Sequence, residues 1–430
     1  MDQSVEATSS SFLKFRFSRS IQDGIEAAGF SSPRPIQEQT ISETLKGRDV
    51  LGLAQTGTGK TAAFALPILQ QLEQDKSKSP RALVIAPTRE LAAQIDQEIR
   101  TLARFTNLRT VTIYGGVGMN PQVGSLRRGA DIVIACPGRL LDLVQQKLIK
   151  LQDVQILVLD EADHMFDMGF LPDIRRILKA IPTKRQNLLF SATMPKAIRH
   201  LANDLLNNPH VIELAHSAPA ETITQAFYPV AHANKFDLLE HLCNDESFIR
   251  AIVFTRTKHR AKRLASQISS RMKLNAVALQ GNLSQSQRDR AMQGFRKGQF
   301  DILVATDIAA RGIDVANVSH VINFDIPDTA EAYTHRIGRT GRSEQTGEAC
   351  TFITPENKDV VKAIEKHLGT TIHRVKVPGM EVAPERPAGT PQQPRRTRQK
   401  PGTHTPRATS GGNTPPRAKR QRPKTATAAS

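Results

Sequence analysis

Val50-Leu51-Gly52-Leu53-Ala54-Gln55-Thr56-Gly57-Thr58-Gly59-Lys60-Thr61 is a short apolar run, a small-residue loop and a Lys-Thr pair, followed by the helical pattern Ala62 to Leu72. Strand, glycine loop and helix in that order form a phosphate-binding unit. Gly57 and Gly59 allow the loop to curl so that its N–H groups point inward, and Gln55, Thr56 and Thr58 are the loop residues between. Lys60 is placed to reach the outer phosphates of a nucleotide, and the Thr61 hydroxyl to ligate Mg²⁺. The usual pattern starts with glycine six residues before the lysine; here Ala54, also small, stands there. Such a unit belongs to a parallel sheet covered by helices on both faces.

The pattern repeats outward from this stretch. Apolar runs at Ala82–Ala86, Asp131–Ala135, Ile156–Leu159, Asn187–Phe190, Ala251–Phe254, Asp301–Ala305 and Val318–Phe324 read as buried strands. Amphipathic segments at Glu90–Phe105, Lys196–Leu206, Lys258–Ser270 and Ser286–Lys297 read as helices. The polar stretch 213–224 has no clear period and reads as a linker. The chain therefore divides into a flexible N-terminus (1–11), an α/β domain (12–212), the linker, a second α/β domain (225–376) and a tail (377–430). The halves share no repeat of residues.

Composition narrows the function. The 430 residues hold 59 Lys+Arg against 41 Asp+Glu, a net of +18, which points to a polyanionic partner. Half of that charge lies at the end: residues 381–430 carry eleven Lys/Arg and two Glu, a net of +9, with nine prolines and no Phe, Ile, Leu, Tyr or Met. Such a segment cannot bury enough apolar surface to fold and reads as a disordered basic tail that attracts phosphates. Seventeen Phe, three Tyr and no Trp are few for a protein that stacks base after base, so backbone contacts should dominate. The three cysteines, Cys136, Cys243 and Cys350, are too far apart for a disulfide framework or a short-spaced zinc motif. No apolar run is long enough to cross a bilayer, and the polar start lacks a signal peptide, so a cytoplasmic protein without membrane contact is expected.

A second acidic element completes the phosphate loop. Ile156–Leu159 runs into Asp160-Glu161-Ala162-Asp163. An aspartate at a strand end can hold Mg²⁺, and the adjacent carboxylate can deprotonate an attacking water. Ser191-Ala192-Thr193 follows another strand, and His335-Arg336-Ile337-Gly338-Arg339-Thr340-Gly341-Arg342 lies far downstream. In this order the motifs resemble the DEAD-box RNA helicases of superfamily 2, in detail the bacterial RhlE-type branch, over roughly residues 12–373.

The resemblance implies two RecA-like parallel-sheet domains in tandem, with ATP and Mg²⁺ as cofactors and RNA as partner. Gly29-Phe30-Ser31-Ser32-Pro33-Arg34-Pro35-Ile36-Gln37 resembles the family's Q motif, in which Gln37 contacts adenine and Phe12 and Phe30 flank it. Arg34 stands where Thr or Ser is usual. By the same resemblance Asp314 contacts the ribose, Lys60 and Glu161 act in catalysis, and Arg339 and Arg342 are arginine fingers from the second domain. Asp163, Ser191, Thr193 and His335 couple the nucleotide to domain closure. Pro87-Thr88-Arg89, Gly115-Gly116 and Gly138-Arg139, with Arg256, Arg288, Thr306, Arg311 and Gly312, are the expected RNA contacts. Cys136 replaces a usual Thr, and Gln280 a commoner His.

The expected activity is an RNA-dependent ATPase that locally unwinds short duplexes and remodels RNA–protein complexes, binding the RNA backbone without sequence specificity. An ATP-switched RNA clamp and a DNA helicase of the same superfamily are the competing readings. The tail leaves room for ribosomal precursors or RNA-decay factors as partners.

Overall fold

The computed structural model describes residues 11–54, 57–74, 79–214, 223–310, 318–341 and 346–380, with backbone only at 308. The phosphate-loop strand is β1 (Val50–Leu53). It is followed by β2 (Ala82–Ile85), β3 (Thr110–Ile113), β4 (Ile132–Ala135), β5 (Ile156–Leu159), β6 (Gln186–Ser191) and β7 (His210–Glu213). The second half supplies β8 (Ile223–Pro229), β9 (Ala251–Phe254), β10 (Ala276–Leu279), β11 (Ile302–Ala305), β12 (His320–Asn323), β13 (Gly347–Ile353) and β14 (His373–Arg374). All the pairings among the described residues are parallel.

The first sheet runs β3-β4-β2-β5-β6-β1-β7 and the second β10-β11-β9-β12-β13-β8-β14. Counted from its own first strand, each sheet has the same order. The two halves are therefore the same fold in tandem, as the resemblance implies, although no residue pattern repeats. Connections between parallel strands are confined to right-handed crossovers, so one topology admits many sequences.

Both faces of each sheet are covered. In the first domain, Val84, Ile134, Val158 and Phe190 face the helix Lys60–Leu72, while Leu83, Val133, Leu157 and Leu189 face the other layer. Burial on both faces is why the central strands read as continuous apolar runs. Strands β3, β7, β8, β10, β13 and β14 escaped the apolar-run reading. β3 and β10 lie at one edge of their sheets and β7 and β14 at the other, and β7, β8 and β10 are incompletely buried. Their sequences are correspondingly mixed.

The polar stretch read as a linker is shorter than expected. Glu213 closes β7, while Ile223 and Thr224 open β8, where Ile223 pairs with Gly347. Residues 215–222 lie outside the described residues, as do residues 1–10 of the N-terminus and 381–430 of the tail. Val377 and Met380, assigned to the tail, pack against the core of the second domain. No helix among the described residues is long and apolar enough to cross a membrane.

Candidate active site and nucleic-acid face

In a parallel sheet the chemistry collects beyond the carboxyl ends of the strands. In the first domain that edge is divided. Neighbouring strands β5, β6 and β1 end in Asp160-Glu161, Ser191 and the phosphate loop, with Leu53 paired to Ser191. Neighbouring β2, β4 and β3 end in the segments of Arg89, Gly138-Arg139 and Gly115-Gly116. One side of the sheet thus gathers the nucleotide motifs and the other the expected RNA motifs.

The phosphate loop turns through Gly57 (φ 88°) and Gly59 (φ 92°), a left-handed backbone that favours glycine. Gly59 then caps the helix beginning at Lys60. Lys60 is buried and its Nζ donates to the Ala54 carbonyl at 2.9 Å. That bond folds the ammonium over the loop, where an outer phosphate would replace the carbonyl. A cleft of about 410 Å³ opens here, and Phe30, Gln37, Gly57, Gly59, Lys60, Thr61, Asp160 and Glu161 all line it. Phe12 is buried behind it, stacked on Phe30 at 6.2 Å. Gln94 and Glu98 also line the cleft. They lie inside an ordinary amphipathic helix and carried no sequence signal.

The Q-motif amide is occupied. Gln37 Oε1 accepts the Arg34 N–H at 2.8 Å, and Nε2 donates to the Gly59 carbonyl at 3.2 Å. Arg34 compensates for the missing hydroxyl differently: its guanidinium donates to the Gly57 carbonyl at 2.7 Å. Both residues therefore brace the phosphate loop. The loop residues Gln55 and Thr56 lie outside the described residues, as do Arg311, Gly312, Asp314 and Arg342.

Asp160 and Glu161 are both buried, and Glu161 adopts the left-handed backbone (φ 53°, ψ 53°), uncommon for a non-glycine residue. Burial first, and the neighbouring Glu161 charge against the pull of Lys60, push the Asp160 carboxyl up to about 6. Burial acts on Glu161 in the same sense but is outweighed by His164, Lys60 and Arg339, which hold it well below the usual carboxylate range. Thr61 and Asp160 thus offer a hydroxyl and a buried carboxylate that a hard cation would relieve. Oxygen donors this few suit Mg²⁺, which takes much of its shell from water and phosphate.

Asp163 sits at the centre of a small network. Its Oδ2 accepts the Thr193 N–H at 2.9 Å and the Thr193 hydroxyl at 3.0 Å. Its own N–H donates to Ser191 Oγ at 3.2 Å, and Ser191 Oγ donates to the Thr193 carbonyl at 2.7 Å. Residues of the two domains then meet. Nε2 of His164 lies 3.4 Å from Nδ1 of His335. Arg339 is buried, its Nε donating to the His335 carbonyl at 3.3 Å, and its charge acts on Glu161. Arg336, between them in sequence, turns inward: it grips Asp307 through two bonds of 2.6 and 2.7 Å and donates to Asn323 and to the Asp325 carbonyl.

On the other side of the edge, the Arg89 guanidinium fills the space over Gly116, where a Cβ would approach it to 2.0 Å. Thr88 caps its helix, accepting the Leu91 N–H, and Arg139 donates to the Val117 carbonyl at 3.3 Å. In the second domain Arg256, Thr306 and Gln280 follow β9, β11 and β10, the strands equivalent to β2, β4 and β3. Arg89 and Arg288 do more than face outward. Arg89 donates to Gln285 at 3.0 Å, and Arg288 pairs with Glu90 at 2.5 Å, so both stitch the domains together. Cys136 makes no capping bond; burial pushes its thiol up to about 12, and it stays neutral.

The second domain repeats the nucleotide edge without its loop. Lys235 opens its helix as Lys60 does, but donates to the Phe324 carbonyl at 2.7 Å and to Asp325 at 3.2 Å.

The family model for the DEAD/DEAH box helicase matches residues 34–201, and that for the helicase conserved C-terminal domain matches residues 234–344. A DEAD-box ATP-dependent RNA helicase CshA of Bacillus licheniformis is 43% identical over 375 residues, covering 87% of this chain and 77% of that protein. The chain belongs to the DEAD-box RNA helicases. This makes it an ATP-hydrolysing enzyme, an ATP-dependent RNA helicase. An ATP-dependent RNA helicase CshA of Listeria monocytogenes is also 43% identical, over 83% of this helicase and 68% of that protein. Among solved structures, S. cerevisiae Dbp5 bound to RNA and ADP BeF3 superimposes with a TM-score of 0.77 at 34% identity, covering 85% of this helicase and 96% of that chain. Mss116p bound to ssRNA and AMP-PNP gives 0.77 at 29% identity, covering 85% and 78%.

Proposed function

We propose that this helicase opens short RNA duplexes locally, by closing its two domains around ATP and an RNA backbone whose sequence it does not read. The observation that carries the reading is the network Asp163–Thr193–Ser191, which lies beside the His164–His335 contact between the domains. Asp163 Oδ1 accepts the His164 N–H at 3.1 Å, so the network at the nucleotide edge of one sheet reaches the other domain through His164.

In this reading Lys60 and the loop N–H groups hold the phosphates, and Phe12, Phe30 and Gln37 hold the adenine. Thr61 and Asp160 would hold Mg²⁺, which supplies charge neutralisation at the phosphates. Glu161, kept ionised by its neighbours, takes the proton of the attacking water. Arg339, with Arg342, brings positive charge to the γ-phosphate only when the domains are closed. Asp314 contacts the ribose. RNA lies across the loops after β2, β4 and β3 and their equivalents after β9, β11 and β10. There Arg89, Gly116, Arg139, Arg256, Arg288 and Thr306 meet phosphates and 2′-hydroxyls, which carry no sequence information, and the family resemblance adds Arg311 and Gly312 to the RNA contacts. A bent strand fits these loops and a duplex resists bending, so closure separates a few base pairs.

The helicase works in the cytoplasm. Its basic tail concentrates RNA, ribosomal precursors or RNA-decay complexes near the core.

The test is steady-state ATP hydrolysis with no nucleic acid, with single-stranded RNA and with matched DNA, beside strand displacement by wild type and Glu161→Gln. Stimulation by RNA alone, and loss of displacement in E161Q, are expected. Equal rates in all three conditions, or unchanged displacement by E161Q, favour the DNA-helicase or clamp reading.

A further inference from the structure

His164, the residue after the acidic box, is buried, and its ring bridges two functional groups. Nδ1 lies 2.8 Å from Oε2 of Glu161. An ionised carboxylate only accepts, so Nδ1 carries a proton and donates. Nε2 then faces Nδ1 of His335 at 3.4 Å, the rings meeting edge-on (88°) with centroids 4.8 Å apart. Glu161, His164 and His335 form a line from the hydrolytic carboxylate in one domain to the closing helix of the other.

We propose that His164 is a positioning residue that orients the Glu161 carboxylate and makes that orientation depend on domain closure, because only the closed partner domain brings His335 to its second nitrogen. This rests on the reading of Glu161 as the base. In the open form the ring keeps one bond and can swing. Closure pins both ends, so the base is aligned only when Arg339 is also in place.

The same line responds to pH. His335 faces His164, Asp163 and Glu161 from the first domain, with Arg339, Arg336 and Asp307 beside it in its own. Burial first, then His164 and Arg339, outweigh the two carboxylates of the first domain and bring His335 down from 6.5 to about 4. A group depressed by closure favours closure fully above its open-state value and loses that preference as pH falls through the closed-state value. Closure should therefore weaken as pH falls from 6.5 towards 4. The limiting slope is about tenfold per pH unit.

Three substitutions separate the parts. H164N keeps a donor near the Nδ1 position but cannot reach His335, H164Q places an amide near Nε2, and H164A removes both. The readouts are kcat and KM for ATP at saturating RNA, and RNA affinity with a non-hydrolysable ATP analogue across the acid range. Melting temperatures check folding, and H164N serves if H164A does not fold. H164A should lose about tenfold in kcat with KM for ATP nearly unchanged, the signature of a misplaced catalytic group. H164N should recover most of kcat, while its RNA affinity falls less steeply in acid than that of wild type. An H164A kcat within about twofold of wild type, an H164N as impaired as H164A, or identical acid limbs in all proteins would overturn the proposal. E161Q distinguishes the two failures: an active E161Q sinks the base assignment itself, whereas an inactive E161Q beside an unaffected H164A sinks only the role of His164.

Discussion

Glu90→Ala tests whether Arg288 serves the seam between the domains or the RNA alone. The pair is nearly dry: Arg288 Nε meets Glu90 Oε1 at 2.5 Å, with side chains 11% and 9% exposed. In the open form both groups return to water, so the relevant quantity is the difference between open and closed states. Surface pairs contribute about 0–1 kcal/mol, whereas stranding one member of a buried pair costs about 3–5 kcal/mol. Arg288 also donates to the Ala309 carbonyl at 3.3 Å, which softens the loss. About 2 kcal/mol is a fair intermediate, equivalent to about 30-fold in the closure equilibrium. The assay is RNA-stimulated ATP hydrolysis against RNA concentration. E90A should raise the half-saturating RNA concentration by about that factor while melting temperature barely moves, because the pair lies between domains and not within a core. R288A should be at least as impaired, and the double variant should fall short of the sum of the two effects, by about 1 kcal/mol or more. If Arg288 acts only on RNA phosphates, deleting the carboxylate beside it frees a cation and the shift has the opposite sign. Tighter or unchanged RNA dependence in E90A would therefore refute the seam assignment.

A Cβ at Gly24 would stand 2.0 Å from the backbone carbonyl oxygen of Leu102, which cannot move aside as a flexible side chain can. Gly24→Ala should cost about 1–3 kcal/mol, read as a lower melting temperature, with hydrolysis at 25 °C preserved; an unchanged melt would contradict this packing. Protein ending at Met380 lacks the eleven Lys/Arg of residues 381–430. Its RNA affinity should depend less on salt, the slope falling by about 0.7 for each phosphate of a single strand that the tail no longer neutralises. An unaltered slope would show that the tail does not touch RNA.

What could be read from the sequence was what is local. The phosphate loop, the acidic box and Ser191-Ala192-Thr193 each need a strand end and a few following residues, and the structure brings them together because β5, β6 and β1 are neighbours. The central strands were legible because burial on both faces leaves them apolar, while partly exposed strands such as β8 and β10 were not. Arg34 illustrates a subtler limit. Its type departs from the motif, but only the three-dimensional arrangement shows that a longer side chain reaches the Gly57 carbonyl and braces the loop in another way.

The domain seam was opaque for a different reason. Glu90 and Arg288 are 198 residues apart, and His164 and His335 are 171 apart. His335 was expected to couple the domains and Arg288 to meet RNA, but Glu90 and His164 are ordinary polar residues in their own segments, and each pairing is chosen by a rigid-body relation between domains. Arg89 and Arg288, read as RNA contacts, turn out to devote hydrogen bonds to that relation. Both readings can hold at once. If the cations that close the seam also face the strand, RNA and the opposite domain share the same guanidiniums, and RNA binding is coupled to closure without a separate transmitting element. E90A should then weaken RNA affinity, because the carboxylate that helps close the domains is gone, whereas tighter or unchanged affinity would leave Arg288 to RNA alone.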